Sequence, residues 1–252
     1  MLFRSSVSTS ALVIVPTYNE RANLPVLIPA VMQHAGVHLL VVDDQSPDGS
    51  GEVAEAIGRE YPGRVEVLHR AGPRGFGRSY IDGMKRAVTE PFDVLCQMDA
   101  DLSHDPSQLP DLIAATANAD IVIGSRYVSG GSVVNWPLRR RILSRIANVY
   151  IRGVTRLDVR DCTSGYRCWR REVLAALPLD RFFSDGYSFL VEMLFVAARR
   201  GGRIAEVPIT FIERRKGESK VSWAVLAESA VTPWRLISSP ELTQKTSSRS
   251  SP

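Results

Sequence analysis

The sequence predicts an α/β protein with an open, mostly parallel sheet flanked by helices. Two observations predict it. Short apolar runs alternate with longer segments of helical periodicity from residue 11 onward, and the runs are continuous in Val, Ile and Leu, without polar alternation. Strands covered by helices on both faces read this way because neither face meets water. A corollary is that ligands should collect beyond the carboxyl ends of the strands, where this chain places its polar clusters.

The first strand is expected over Ala11 to Val15 and the first helix over Asn23 to His34. A second pair follows at Leu39 to Asp43 and Ser50 to Tyr61, and a third at Val65 to Leu68 and Gly77 to Val88. The fourth strand runs from Phe92 to Met98 before a helix over Ser107 to Ala117, and the fifth covers Ile121 to Ile123. From Val133 the pattern changes. Leu138, Ile142, Leu143, Ile146, Val149 and Tyr150 recur at helical spacing with Arg139, Arg140, Arg141, Arg145 and Arg152 between them, which makes a basic amphipathic helix. Such a helix rests on an anionic membrane surface or clamps phosphate, with Trp136 as an interfacial anchor; an ordinary surface helix with solvated arginines is the plainer alternative. After a strand over Ile204 to Ile212, Glu213 to Lys220 holds four cations around a glycine, a loop able to close over a diphosphate or simply a solvated loop end. Residues 1–10 read as a flexible terminus, 11–239 as one domain, and 240–252, rich in Ser and Thr, as a disordered tail.

Length and composition narrow the class. The 252 residues suffice for one substantial core, and 44% apolar with 23% charged residues excludes collagen-like, wholly disordered and polytopic membrane proteins. The net charge is only +4, so the location of the basic groups matters more than their number. Cys96, Cys162 and Cys168 form neither an even disulfide set nor a close zinc pair, which fits a reducing, cytoplasmic setting. Ala11 to Val15 is too short for a signal-peptide core, and Val221 to Ile237 is interrupted by Glu228 and Pro233. The chain is therefore expected not to cross a membrane by itself.

Four strand ends carry polar groups: Pro16-Thr17-Tyr18-Asn19-Glu20, Asp43-Asp44-Gln45-Ser46-Pro47-Asp48-Gly49, Asp99-Ala100-Asp101-Leu102-Ser103-His104, and Gly124-Ser125-Arg126. The third is the most informative. In an extended segment residues i and i+2 share a face, so Asp99 and Asp101 can address one ion, and small Ala100 admits another group to the backbone. Hard oxygen ligands suit Mg²⁺ or Mn²⁺ held between carboxylates and substrate phosphates, which points to a nucleotide-diphosphate enzyme. The alternative is that Asp101 and Ser103 cap the helix starting near Pro106. A nicotinamide-binding domain would need its glycine fingerprint after the first strand, where Pro16 and Tyr18 stand, and the glycines from Gly72 to Gly77 read as a loop and helix start. A Walker loop is absent, and no aromatic stacking platform accompanies the arginines, so no nucleic-acid partner is expected.

In order, Pro16-Thr-Tyr-Asn-Glu20, Asp43-Asp-x-Ser-Pro-Asp48, Asp99-Ala-Asp-Leu-Ser-His104, Gly124-Ser-Arg-Tyr127, Asn135-Trp-Pro137, Ser164-Gly-Tyr166 and Arg214-x-x-Gly-x-Ser-Lys220 strongly resemble the polyprenol-phosphate mannosyltransferases. These are the dolichyl-phosphate mannose synthases and their actinobacterial counterparts among the inverting GT-A glycosyltransferases. The resemblance runs from Leu12 to Ile237. Asp-x-Asp is shared by many glycosyltransferases, whereas Asn-Trp-Pro, Arg-Arg-x-x-Ser and Arg-x-x-Gly-x-Ser-Lys together narrow the match to the lipid-phosphate branch.

The resemblance implies a GT-A domain with amphipathic interfacial helices in its second half, moving mannose from GDP-mannose to a polyprenyl phosphate. It implies that Pro16, Tyr18, Glu20, Val42 and Asp44 hold the guanosine part, and that Asp99, Ala100 and Asp101 meet the metal, Mg²⁺ or Mn²⁺, and the diphosphate. Arg126 with Arg214, Lys216 and Lys220 would close around donor phosphates and sugar, and Arg140 and Ser144 would receive the acceptor phosphate. Ser103 departs from the Gln often found in the metal shell of relatives, and its shorter side chain would reach a metal through water. A peripheral position on the cytoplasmic face of the membrane, with a separate membrane-anchoring protein, is the expected setting. A related transferase using UDP-glucose or another nucleotide sugar is the alternative.

Overall fold

The computed structural model describes residues 9–184, 186, 188–213 and 223–239. The expected flexible start falls almost wholly outside these, as do the tail from 240 and the basic loop with Arg214, Lys216 and Lys220. Three parallel βα pairs open the chain: β1 (Ala11–Thr17), α1 (Leu24–Met32), β2 (Val37–Asp43), α2 (Ser50–Gly58), β3 (Val65–His69) and α3 (Phe76–Ala87). They are followed by β4 (Val94–Gln97), a single 3₁₀ turn, α4 (Leu109–Ala115), β5 (Ile121–Ser125), β6 (Ser132–Val134) and α5 (Leu138–Thr155). The remainder comprises β7 (Arg167–Arg170), α6 (Arg171–Ala175), a second 3₁₀ turn (Leu179–Arg181), α7 (Ser188–Arg199), β8 (Ile204–Pro208), β9 (Thr210–Ile212) and α8 (Trp223–Ile237).

The main sheet has seven strands in the order β3-β2-β1-β4-β7-β5-β8. All neighbours are parallel except β7, which runs antiparallel between β4 and β5. Register sets the site: Thr17 lies level with Asp43, and Asp43 with His69, so three strands stop at one line and their loops emerge at one edge. Alternate residues supply two cores. Ile14, Leu40 and Val42 pack with Tyr80 and Met84 of α3 and with the apolar face of α7, whereas Val13, Leu39 and Val41 face Leu27 and Val31 of α1. A Cβ on Gly83 would come within 2.7 Å of Ile14 and 2.8 Å of Val42, so α3 can lie this close to the sheet only with glycine there.

Two sequence expectations change. Ile204 to Ile212 is not one strand: it breaks after Pro208, and β9 leaves the main sheet to pair with β6. The central strand β7, Arg-Cys-Trp-Arg, is not among the expected strands, because two arginines in four residues read as surface. Arg167 is instead fully buried, donating to the carbonyl oxygens of Ser164 (2.8 Å), Cys162 (2.8 Å) and Leu190 (2.6 Å). Burial lowers its guanidinium to about 10. The three cysteines are all free and buried, and Cys96 and Cys168 face each other across β4 and β7.

The expected amphipathic helix is present as α5, with Ile142, Leu143, Ile146 and Val149 exposed. Its neighbour α8 adds exposed Val231, Trp234 and Ile237, and the two helices are joined where the Trp234 indole donates to the Tyr150 hydroxyl (2.9 Å) and that hydroxyl donates to the Ala230 carbonyl (2.6 Å). Trp136 is not part of this apolar surface. It is 7% exposed, against 57% for Trp234, so Trp136 is not placed as the interfacial anchor expected of it, and the exposed indole on this surface is that of Trp234. Among the described residues no helix is long and apolar enough to cross a membrane.

Candidate active site

A cavity of about 390 Å³ opens at the carboxyl ends of β1, β2 and β4. Pro16, Tyr18, Glu20, Asp44, Asp99, Ala100 and Asp101 line it, so seven of the residues expected to hold a donor converge on one space. Val42 does not. Its side chain is fully buried in the core against α3. Each of the loops after β1, β2 and β4 contains one non-glycine residue in the left-handed region: Asn19 (φ 60°), Gln45 (φ 60°) and Leu102 (φ 63°). For Leu102 this conformation is costly, and such strain gathers where loops must present side chains to a ligand.

The two carboxylates are held differently. Asp99 extends two residues beyond β4, its Oδ1 accepting from the Tyr80 hydroxyl (3.1 Å) and its backbone N–H donating to Nδ1 of His104 (3.1 Å). His104 is buried against the Tyr166 ring, and burial pushes its pKa down, so Nδ1 serves as the acceptor of a neutral ring. Asp101 closes on its own turn: Oδ1 accepts from the Ser103 backbone N–H (3.0 Å) and hydroxyl (2.6 Å). Ser103 is fully buried and orients Asp101. Neither caps the following turn; that role falls to Asp105, which accepts from the Ser107 backbone N–H (2.9 Å). Among the described residues no third acidic, His or Cys side chain completes a metal cluster. Two carboxylates lining one cavity fit a hard cation whose remaining ligands are phosphate oxygens and water.

At the far end, Asp44 is bound to Arg70, whose Nε also donates to Asp82 (2.7 Å), and its other oxygen accepts from the Gly75 backbone N–H (2.9 Å). Both Asp44 and Arg70 are buried, so the pair fixes the loop after β3 onto the end of β2. That loop carries Arg74, which donates to the Tyr18 hydroxyl with its guanidinium 4.8 Å from the centre of the Tyr18 ring. Asp48, in the same stretch as Asp44, shapes the turn instead, accepting from the Ser50 N–H (3.0 Å) and hydroxyl (2.6 Å).

Arg126 and Arg140 lie outside this cavity but meet each other around one ring. The Arg126 guanidinium is 5.4 Å from the centre of the Trp136 ring and that of Arg140 is 4.2 Å from it. Asp161, fully buried, accepts from the Arg126 backbone N–H (3.0 Å), Nε (2.7 Å) and Nη2 (2.7 Å). Burial opposes charge on both groups, yet their mutual attraction prevails, raising the pKa of Arg126 and lowering that of Asp161. Arg140 is paired with Glu213 at the threshold of the basic loop, and Ser144 accepts from the Tyr127 hydroxyl (2.6 Å).

Sequence reasoning misses Arg70, Arg74, Tyr80 and Asp161. The glycines of residues 72–77 read as a plain loop, although their position after the third strand places them at the same sheet edge as the others; that position is the available signal. Asp161 follows no strand of the expected pattern and leaves none.

The chain matches glycosyl transferase family 2 over residues 12–177. It is 47% identical over 221 residues to a polyprenol monophosphomannose synthase from Mycolicibacterium smegmatis, covering 86% of this chain and 83% of the relative. Against an undecaprenyl-phosphate mannosyltransferase from Micrococcus luteus the identity is 46% over 228 residues, covering 89% and 93%. Among solved structures, a glucosyl-3-phosphoglycerate synthase from Mycobacterium tuberculosis in complex with Mn²⁺, UDP and phosphoglyceric acid superposes with a TM-score of 0.65 at 19% identity, covering 96% of this chain and 81% of that one. A mannosyltransferase from Pyrobaculum calidifontis in complex with GDP-Man and Mn²⁺ gives 0.54 at 16% identity, covering 93% and 75%. The two structural neighbours share the fold, while the family match and the two closer relatives carry the assignment: this chain belongs to glycosyl transferase family 2 and is a glycosyltransferase.

Proposed function

We propose that the protein transfers mannose from GDP-mannose to a polyprenyl phosphate with inversion, giving polyprenyl phosphate β-mannose and GDP. The observation that carries this reading is the cavity at the strand ends in which Asp99 and Asp101 stand beside Tyr18, Glu20 and Asp44. It joins the names of the two relatives above, both of which are enzymes acting on prenyl phosphates.

The guanosine part lies against Pro16, Tyr18, Glu20 and Asp44, with the diphosphate toward Asp99, Ala100 and Asp101. Those two carboxylates would hold Mg²⁺ or Mn²⁺, whose charge would stabilise the departing diphosphate. The acceptor is a phosphomonoester with a second pKa of roughly 6, largely dianionic near neutrality, so it attacks without a general base. Arg140 and Ser144 position its phosphate, and Arg126, held rigid by Asp161, supplies the facing charge. A bond forms between a phosphate oxygen and the anomeric carbon as the bond from that carbon to the diphosphate oxygen breaks, and GDP leaves with the electron pair. Arg140 exchanges its Glu213 partner for the lipid phosphate, which ties acceptor arrival to the basic loop of Arg214, Lys216 and Lys220.

The apolar surface of α5 and α8 rests on the bilayer from which the acceptor is drawn, on the cytoplasmic face, where three free cysteines stay reduced. A separate membrane protein supplies any further anchor.

Transfer of labelled mannose from GDP-mannose to a short polyprenyl phosphate, with Mg²⁺ or Mn²⁺ and an EDTA control, tests the reading. Metal-dependent mannolipid formation, abolished in a folded Asp101→Ala variant, is expected. Transfer from UDP-glucose alone would reassign the donor, and near-normal turnover of Asp101→Ala would overturn the metal site.

A further inference from the structure

The arginines of α5 do not all serve one site. Arg140 points to Trp136 and Glu213, whereas Arg145, Asn148, Val149 and Arg152, spaced so that they share one helix face, line a separate hollow of about 470 Å³. The loop after β5 contributes Arg126 and Tyr127 to its wall, and Arg160 closes it from the segment before β7.

Four guanidinium groups thus border one space, that of Arg126 already paired with Asp161, and Asp158 lines the adjoining hollow with Arg152 without bordering this one. Asp161 is consumed by Arg126, and the Glu206 carboxylate accepts from the backbone N–H groups of Arg160 (2.8 Å) and Asp161 (2.9 Å). The side chains of Arg145, Arg152 and Arg160 have no ion-pair partner among the described residues, and Nε of Arg152 is buried with no hydrogen-bond partner. Three guanidinium groups without a carboxylate partner around one hollow, with a buried donor left over, suit an anion with several acceptor oxygens, and the guanidinium fork suits phosphate.

The surroundings say how that phosphate arrives. Val149 both lines the hollow and ends the exposed apolar row of Ile142, Ile146 and Val149. An anion reaching the hollow across this row carries an apolar body. None of the residues that line the donor cavity borders the hollow, so it is not the diphosphate site.

We propose that Arg145, Arg152 and Arg160 form a pocket for the phosphate of an anionic phospholipid headgroup, separate from the acceptor position at Arg140 and Ser144. The pocket rests on the reading that α5 and α8 lie on the bilayer. It makes the protein select anionic membranes and fixes how α5 sits on them, with the arginine hollow drawing in a neighbouring headgroup while the apolar row enters the acyl boundary.

Flotation of the full chain with phosphatidylcholine vesicles, with and without phosphatidylglycerol, tests it. Arg145→Gln/Arg160→Gln is the test variant, since both residues are exposed, and Arg139→Gln/Arg141→Gln is the charge-matched control. The wild type is expected to favour phosphatidylglycerol vesicles by about tenfold. The test variant should lose most of that preference while keeping its binding to phosphatidylcholine and its KM for a short polyprenyl phosphate in neutral detergent; the control should lose less. Equal losses in the two variants would mean diffuse charge and overturn the pocket. A raised KM in neutral detergent would assign the arginines to the acceptor phosphate and overturn it as well. Equal binding of the wild type to both vesicle types, with mannolipid still formed, removes the pocket alone. An Arg145- and Arg160-dependent preference in a protein without transferase activity removes the proposed reaction alone. Binding to neither vesicle removes the bilayer reading and the pocket with it.

Discussion

Tyr80 donates its phenolic hydroxyl to Oδ1 of Asp99 at 3.1 Å, from a side chain with no solvent exposure on α3 to a carboxylate in the cavity wall. Burial first, and then the Asp99 charge, push the Tyr80 phenol well above its ordinary range, so it remains a donor throughout the working pH. The bond helps hold the Asp99 carboxylate in the cavity wall.

Tyr80→Phe keeps the ring and deletes this bond. A hydrogen bond to a charged group contributes about 1.5–3 kcal/mol, so the apparent affinity for activating Mn²⁺ should fall about tenfold or more with the fold intact. Initial rates against Mn²⁺ concentration, with a melting curve alongside, check it. An unchanged metal dependence would show that Asp99 needs no such support.

Asp161→Asn leaves the buried Arg126 guanidinium without its counter-charge. Breaking a buried pair on one side costs about 3–5 kcal/mol, whereas removing both charges costs much less. The double variant Arg126→Met/Asp161→Leu should therefore melt closer to the wild type than Asp161→Asn does, yet transfer no sugar. Urea unfolding of the three proteins separates structural from chemical loss; a double variant as unstable as the single one would count against the pair as the cause.

Ile146 and Val149 are 59% and 67% exposed, so charging them should spare the core. Ile146→Asp/Val149→Asp is expected to abolish retention on phosphatidylcholine vesicles with thermal stability within about 0.5 kcal/mol of the wild type, as for ordinary surface substitutions. Retention unaffected by both charges would show that α5 does not enter the bilayer.

Asp120 accepts two side-chain bonds and one backbone bond from Arg203, and that hydrogen bonding lowers its pKa to about 2. An unfolded aspartate titrates near about 3.9, so between about 4 and 2 the unfolded chain binds the proton that the folded chain refuses. The stability Asp120 contributes is complete above about pH 4 and is lost as pH falls toward about 2. The difference in melting temperature between wild type and Asp120→Asn should therefore be full at about pH 6 and clearly smaller by about pH 2.5. A constant difference across that range would show that the pair adds nothing through protonation.

Much of the cavity at the strand ends was legible in the sequence. Three βα pairs, continuous apolar strands and polar residues directly behind them suffice to bring Pro16, Tyr18, Glu20, Asp44, Asp99 and Asp101 to one edge, because a parallel sheet in register ends its strands on one line. The apolar run that betrays a buried strand is local, and so is the helical spacing that betrays α5.

What only the tertiary structure decided depends on partners far apart in the chain. Arg70 reaches Asp44 across 26 residues, Arg126 reaches Asp161 across 35, and Arg140 reaches Glu213 across 73. Burial also overturned residue type: Arg167 lies inside the sheet because three carbonyl oxygens satisfy it, and Trp136 turned inward between two guanidinium groups. Local spacing records which residues prefer water or its absence. A buried charge violates that preference, and the partners that compensate it come from distant segments brought together by packing, so they leave no periodic trace.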